Sequence, residues 1–377
     1  MKRIGFLYEQ IVSEENCRMA ILNAARHKHK RKNVQKIMEN LDFYVQDLSE
    51  RLVRLDFLSP YRTRIIKDGL SGKERELQIP AFYPDQCAHH AIVQVLQPII
   101  MKSSYYWSCA NIPKRGIDHA AKGVERATMR DAKYAKYSVK MDVTKFYPSI
   151  PHDKLKERLR QKIKDEKALA IIFAVIDSHE QGLPIGNYTS PWLAELFLQP
   201  LDYFIKQNHH IRHYVRYADD LTLVDNNKRK LRKAMYGVIE FMKDLGLKIK
   251  GNYQLFRIER KQKERKSRKG RKIDFVGRCF GIHITTVRKR RALALMRQSR
   301  HIQKIEKAGK SVSYRMAAGF LSRCSCFKHT NSQGLKREYH DTVNIKKLKE
   351  VVRNESKRKH LSQNSLGGAV PAYGGVC

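Results

Sequence analysis

No stretch of about 18 consecutive apolar residues occurs in the sequence, so no membrane-spanning helix is expected. The N-terminus, MKRIGFLYEQIV, meets charge too early for a secretory leader. Cysteine pairing is also missing. The seven cysteines include no CxxC pair and form an odd total, which points to a reducing cytoplasmic setting. Two short clusters have metal-ligand residue types: Cys324, Cys326 and His329 in CSCFKH, and Cys87-Ala88-His89-His90. Neither has a second ligand pair at zinc-finger spacing, so neither is read as a metal site.

Acidic residues are the other shortage. Against 76 Lys and Arg stand 37 Asp and Glu, leaving a formal charge of +39. Such a chain repels itself unless it meets a polyanion, and nucleic acid is the usual one. This bounds the partner and not the activity, because purely structural nucleic-acid binders share the charge. With 377 residues, 42% of them hydrophobic, wholesale disorder is excluded. A sizeable core in roughly two or three subdomains is expected.

Residues 1–60 read as helical, with a basic cluster at 26–32 that suits phosphate contact. YRTRIIKDG and KERELQIP read as two strands joined by a turn around Gly69 to Gly72, and PDQCAHHAIVQVLQPII carries helical spacing after a Pro-Asp start. YSVKMDV alternates and reads as a strand. HDKLKERLRQKI is an amphipathic helix, and SPWLAELFLQPLDYFI is an apolar helix with proline near its start. YVRYADDLTLV reads as a hairpin, NNKRKLRKAMYGVIEFMKDLG as a helix ending in glycine, and LKIKG as a last short strand. Residues 257–272 are nearly all charged and read as a mobile basic loop. KIDFVGRCFGIHIT resumes strand character, 290–350 read as helical, and the Gly-rich end lacks periodicity. The order strand–helix–helix–hairpin–helix–strand fits an α+β fold with a split βαβ palm, its antiparallel sheet covered by helices on one face.

Asp219 and Asp220 interrupt a strand-forming run. Alone, they are consistent with a solvated hairpin turn. The split βαβ order, however, makes the first strand and the hairpin neighbours, which could set Asp142 beside them. Three converging carboxylates repel one another unless divalent cations lie between them. Two such ions can activate a primer 3′-hydroxyl and stabilise leaving pyrophosphate.

MDVTKFYPSI, GLPIGNYTSPWLAEL and RYADDLTLV, in this order and spacing, resemble three core motifs of reverse transcriptases. REL-QIP-AFYPDQ resembles the fingers segment of that family, LGLKIKG the motif after the hairpin, and DFVGRCFG the primer-grip hairpin. The similarity covers about residues 60 to 285. It implies a right-hand polymerase fold with fingers (61–136), palm (137–285, with the basic insertion 257–272) and helical thumb (286–350), to which composition adds a basic helical N-terminal segment (1–60) and a disordered tail (351–377). It also implies an RNA-directed DNA polymerase using two Mg²⁺ ions, with Mn²⁺ as an alternative. Partners would be template RNA, cDNA and deoxynucleoside triphosphates, with an accessory protein or cognate non-coding RNA further expected.

Carried over by position, Asp142, Asp219 and Asp220 resemble the catalytic metal ligands. Tyr147 resembles the aromatic that excludes a 2′-hydroxyl, although a core aromatic beside Phe146 would look the same. Arg75, helped by Lys73, resembles the basic residue on the triphosphate, where ordinary surface charges are the alternative. Gly186 would let the nucleotide approach the backbone, although a plain loop glycine would look the same, and Ser190 could be a helix N-cap. Departures divide the subfamily signal. Ile185 stands where the usual motif has glutamine, as in diversity-generating retroelements, whereas Ser190-Pro191 is similar to group II intron and retron enzymes. A lysine that many relatives place after the LGL motif, proposed there as general acid for pyrophosphate, falls at Tyr253 here; Lys248 or Lys250 could substitute, with surface lysines the favoured reading. No nuclease or RNase H segment is read after residue 350. Diversification is the leading biological expectation. The alternatives are anti-phage defence or a retron-like role, template-independent or protein-primed synthesis, and, remotely, a non-catalytic RNA-binding protein.

Overall fold

The computed structural model describes residues 3–67, 72, 74–261, 268–324, 327 and 329–364. The chain divides into two compact units, residues 1–127 with 133–257, and 128–132 with 258–377.

The first unit opens with helices α1 (Tyr8–Val12), α2 (Glu14–Ala25), α3 (Lys32–Glu39) and α4 (Leu41–Arg54). Ser13 starts α2, its hydroxyl oxygen accepting from Asn16 N. Ile11, Ile21, Leu48 and Leu52 are fully buried, and this layer packs on the long helix α5 (Cys87–Ser103). The basic cluster at 26–32 lies at the α2–α3 junction and is exposed except for Lys28. Lys28 donates to Gln86 Oε1 and lies over the Phe82 ring.

Strands β1 (Arg62–Lys67) and β2 (Glu74–Ile79) pair antiparallel as a separate hairpin. The main sheet takes β3 (Ser108–Cys109), β4 (Tyr137–Asp142), β5 (His213–Tyr217), β6 (Asp220–Asp225) and β7 (Gln254–Arg257) in the order β3-β5-β6-β4-β7. Every pairing is antiparallel except the parallel β3–β5 pair. Between β3 and β5 run α6 (Ile117–Glu125), the short α7 (Phe146–Ser149), α8 (His152–Arg160), α9 (Glu166–Asp177) and α10 (Ser190–Tyr203). Helix α11 (Lys228–Asp244) packs under β4 and β6. Its buried stripe is Leu231, Ala234, Met235, Val238 and Met242 at helical spacing. Asn227 caps its start, and Gly246 follows its end at φ +78°.

Two expectations change here. LKIKG supplies only an isolated bridge, Val143 to Ile249, and the strand that pairs with β4 is β7. The reason is local: Lys250 N donates to Asp142 O, then the chain turns at Gly251 before it can extend the pairing. Helix α9 is an addition. Asp165 holds it by accepting from Ala168 N, while its other oxygen accepts from Leu7 N and Tyr8 N.

In the second unit, β8 (Arg260–Lys261) pairs with β9 (Arg268–Lys269), so part of the expected loop at 257–272 is ordered; residues 262–267 lie outside the described residues. β10 (Ile273–Phe275), β11 (Arg278–Gly281) and β12 (Ile284–Val287) form an antiparallel sheet. Helices α12 (Lys289–Lys307), α13 (Tyr314–Cys324), α14 (Gln333–Tyr339) and α15 (Ile345–Asn364) follow. Leu295, Ile302, Phe320 and Leu348 are at the centre of their core. Because α15 continues to Asn364, residues 351–364 are helical and not a disordered tail. The remainder, 365–377, lies outside the described residues, as does Cys326.

Candidate active site

Period-two alternation ends β4 at Asp142, which lies in register opposite Asp220, the first residue of β6. Tyr217 also pairs with Asp220, which leaves Ala218 and Asp219 as a two-residue turn between β5 and β6. This places the Asp219 carboxyl close enough to Asp142 for their like charges to oppose each other. Burial first, and then the Asp142 charge, pushes the Asp219 carboxyl up to about 6.

Burial likewise lifts Asp220 to about 7, partly opposed by Lys140. Lys140 Nζ lies 3.4 Å from Asp220 Oδ2, while Asp220 Oδ1 is buried without a hydrogen-bond partner. Lys250 Nζ donates to Asp142 Oδ2 at 2.5 Å. The expectation that Lys250 is a surface lysine is therefore overturned. Its own backbone bond to Asp142 O delivers its side chain to the carboxylates. Lys248, by contrast, is exposed.

Among the described residues, no three His, Cys, Asp or Glu side chains lie together as a set able to hold a metal ion. Asp142 and Asp219 are in contact, and Asp220 faces Lys140. Donor chemistry nevertheless fits a hard cation: the donors are carboxylate oxygens, two of them held together against their repulsion, and one buried oxygen has no partner.

Tyr147 lies in α7, half-buried beside this site. Burial raises its hydroxyl to about 12, with a hydrogen bond to the Asn111 side chain opposing and the Asp219 charge adding. The backbone beneath it is tight. A Cβ on Gly182, at φ +65°, would lie 2.4 Å from the Pro148 carbonyl group, so only glycine fits there. Leu183 N donates to Tyr147 O, and His152 Nε2 lies 2.7 Å from Gly182 O.

The loop that follows carries Ile185, half-buried, and Gly186. Gln78 N of β2 donates to Ile185 O at 2.9 Å. A Cβ on Gly186, at φ +139°, would come within 2.0 Å of Gln78 O. The close approach that Gly186 permits in this structure is thus to the β1–β2 hairpin. Asn187 Nδ2 donates to Tyr61 OH nearby. Ser190 is no side-chain N-cap; its buried hydroxyl donates to Pro184 O and braces the same loop. Arg75 is exposed on β2, opposite Ile66. Lys73 lies outside the described residues.

Sequence reasoning missed a buried ionic cluster directly behind the turn, in which Arg216 meets Glu195 and Asp202 of α10. The available signal was a pair of acids seven residues apart in an otherwise apolar helix.

Residues 67–257 match the family model described as reverse transcriptase (RNA-dependent DNA polymerase). Among curated proteins, the retron Ec73 reverse transcriptase of Escherichia coli is 30% identical over 136 residues, covering 33% of this chain and 43% of the relative. Protein YkfC of E. coli strain K12 is 22% identical over 150 residues, covering 37% of this chain and 39% of the relative. The matched region thus spans about two-fifths of the length of these relatives. Among solved structures, apo telomerase from Candida tropicalis is similar with a TM-score of 0.47 and 13% identity, over 81% of this chain and 59% of that one. Among the described residues no helix is long and apolar enough to cross a membrane.

Proposed function

The chain belongs to the reverse transcriptase (RNA-dependent DNA polymerase) family, and on that premise we propose that it copies a structured RNA into cDNA from deoxynucleoside triphosphates. The observation that carries this reading is the register that sets Asp142 opposite Asp220 and leaves Asp219 in the adjoining turn. Asp142, Asp219 and Asp220 would hold two Mg²⁺ ions, which Mn²⁺ could replace. When bound, these supply activation of a primer hydroxyl and charge neutralisation at the phosphates.

The remaining steps belong to the chain's own residues. Tyr147 stands over the nucleotide position as the group that excludes a 2′-hydroxyl. Arg75, with Lys73, takes the triphosphate charge. Ile185 and Gly186 floor the same subsite, with β2 tied to it through Gln78. Lys250 neutralises Asp142 while no cation is bound. The formal charge of +39 supports binding of the RNA backbone.

The test is dNTP incorporation on a primed RNA template with Mg²⁺, comparing wild type with the Asp219→Asn, Asp220→Asn double variant. Wild type should extend the primer and the variant should not; equal incorporation overturns the assignment.

For biological role, Ser190-Pro191 and the retron relative at 30% identity favour retron-like synthesis from a dedicated RNA, including a defence role. Ile185 supports a second reading, a diversity-generating element with an accessory protein. Sequencing the cDNA that accumulates with the protein separates them. One faithful product from a single non-coding RNA supports the first, and substitutions at template adenines support the second. Incorporation that persists without template would instead point to template-independent synthesis.

A further inference from the structure

Ala218 presents a backbone problem. It is the first central residue of the two-residue turn, and its φ is +52°. An L-residue is crowded there by its own Cβ, and hairpin turns usually place glycine or asparagine at such positions. This alanine immediately precedes Asp219. The conformation is held from both sides: Ala218 N donates to Cys109 O at 3.1 Å, and Arg216 Nη1 donates to Ala218 O at 3.2 Å.

Arg216 is itself fixed. Only 1% exposed, it donates from Nε to Asp202 Oδ1 at 2.8 Å and from Nη2 to Asp202 Oδ2 at 2.7 Å. Nη2 also reaches Glu195 Oε1 at 3.2 Å. Both acids are buried on α10, and both have further partners. Ser108 Oγ lies 2.8 Å from each Glu195 oxygen, and Tyr214 OH donates to Asp202 Oδ1 at 2.8 Å. The planar guanidinium therefore spans from a rigid helix to the carbonyl in front of Asp219.

A buried ion cluster often serves packing alone, and apolar residues can replace such a cluster without loss. The contact that packing does not require is the one to Ala218 O. Asp219 must also be kept against Asp142, whose charge repels it. Lys140 and Lys250 act on the carboxylates themselves. Arg216 acts on the backbone that carries one of them.

We propose that Arg216 is a positioning residue, a strut from Glu195 and Asp202 that holds the Ala218 carbonyl and so fixes Asp219 against Asp142 for cation binding. The proposal rests on the polymerase reading for its catalytic consequence. The test compares Arg216→Lys, Ala218→Gly and the double variant in the full chain. Lysine keeps the charge but cannot span both acids and the turn.

Arg216→Lys should lower kcat for dNTP incorporation roughly tenfold, the equivalent of ~1.4 kcal/mol, with KM for dNTP within about twofold. Mn²⁺ binding to the free protein, followed by electron paramagnetic resonance, should weaken about fivefold, on the scale of one charge-assisted hydrogen bond. Adding Ala218→Gly should restore most of both losses, because glycine adopts positive φ without support. If Arg216→Lys does not fold, Glu195→Gln in the same chain matches one lysine to one acid, and the comparison is repeated on that background. Unchanged Mn²⁺ affinity, or a loss that glycine does not recover, overturns the strut. Wild type that binds Mn²⁺ but incorporates no dNTP overturns the polymerase reading instead, while the Mn²⁺ comparison still decides the role of Arg216.

Discussion

Asp219→Asn nearly preserves side-chain shape while it removes a charge that the folded protein holds against its neighbour. In the fold the Asp219 carboxyl sits at about 6, against an ordinary value of 3.8, through burial and the Asp142 charge. That rise corresponds to a ceiling of ~3 kcal/mol of unfavourable interaction in the ionised state. Solvent screening at a half-buried site, and the option of sharing one proton with Asp142, reduce this to about 1–2 kcal/mol.

The sign follows from proton linkage. The folded state binds this proton more tightly than the unfolded chain, so stability present at acid pH is lost as pH rises from about 4 to above 6. Asparagine carries no such penalty, and its amide can donate to Asp142. With a chelator present, chemical denaturation should find the variant more stable by about 1–2 kcal/mol near pH 8, and the difference should shrink toward about pH 4. Added Mg²⁺ should stabilise wild type more than the variant and close the gap. A variant no more stable than wild type near neutral pH, or a difference that ignores pH, refutes the reasoning.

Tyr147→Ala should admit ribonucleotides, raising ribonucleotide incorporation relative to deoxynucleotide by on the order of tenfold or more; competition assays with matched nucleotides measure this, and unchanged discrimination refutes the gate. Gly186→Ala places a Cβ within 2.0 Å of Gln78 O, so the hairpin must shift. Faster proteolysis of residues 62–79 should report it, together with a loss of about 2 kcal/mol or more in stability. RNA affinity should fall steeply and linearly in log–log form with added salt, as counterion release requires; a flat response counts against the basic surfaces as the binding site.

The strands that carry the candidate site were legible because alternation is a strong local signal and because helix and strand order dictates who becomes whose neighbour. YSVKMDV and YVRYADDLTLV become β4 and the β5–β6 hairpin. Other features carry no local signal. Strand β3 is two residues long and pairs in parallel with a strand about a hundred residues away. Helix α9, in EKALAIIFAVID, is apolar on nearly every side, which erases the periodicity that identifies a helix. Lys250 was hidden for the opposite reason. Among 76 basic residues, one more lysine stands out only once its backbone is seen bonded to Asp142. Arg216 and the true neighbour of Gly186 depend on tertiary approach that spacing cannot supply.

The carboxylate cluster is drawn from distant stretches, and Lys250 lies 108 residues after the Asp142 it meets. During synthesis the chain therefore cannot assemble this candidate site until nearly the whole first unit has left the ribosome. β4 must wait for both β6 and β7 before its hydrogen-bonding edges are filled. A chain stopped short of residue 250 would hold Asp142 without the lysine that meets it.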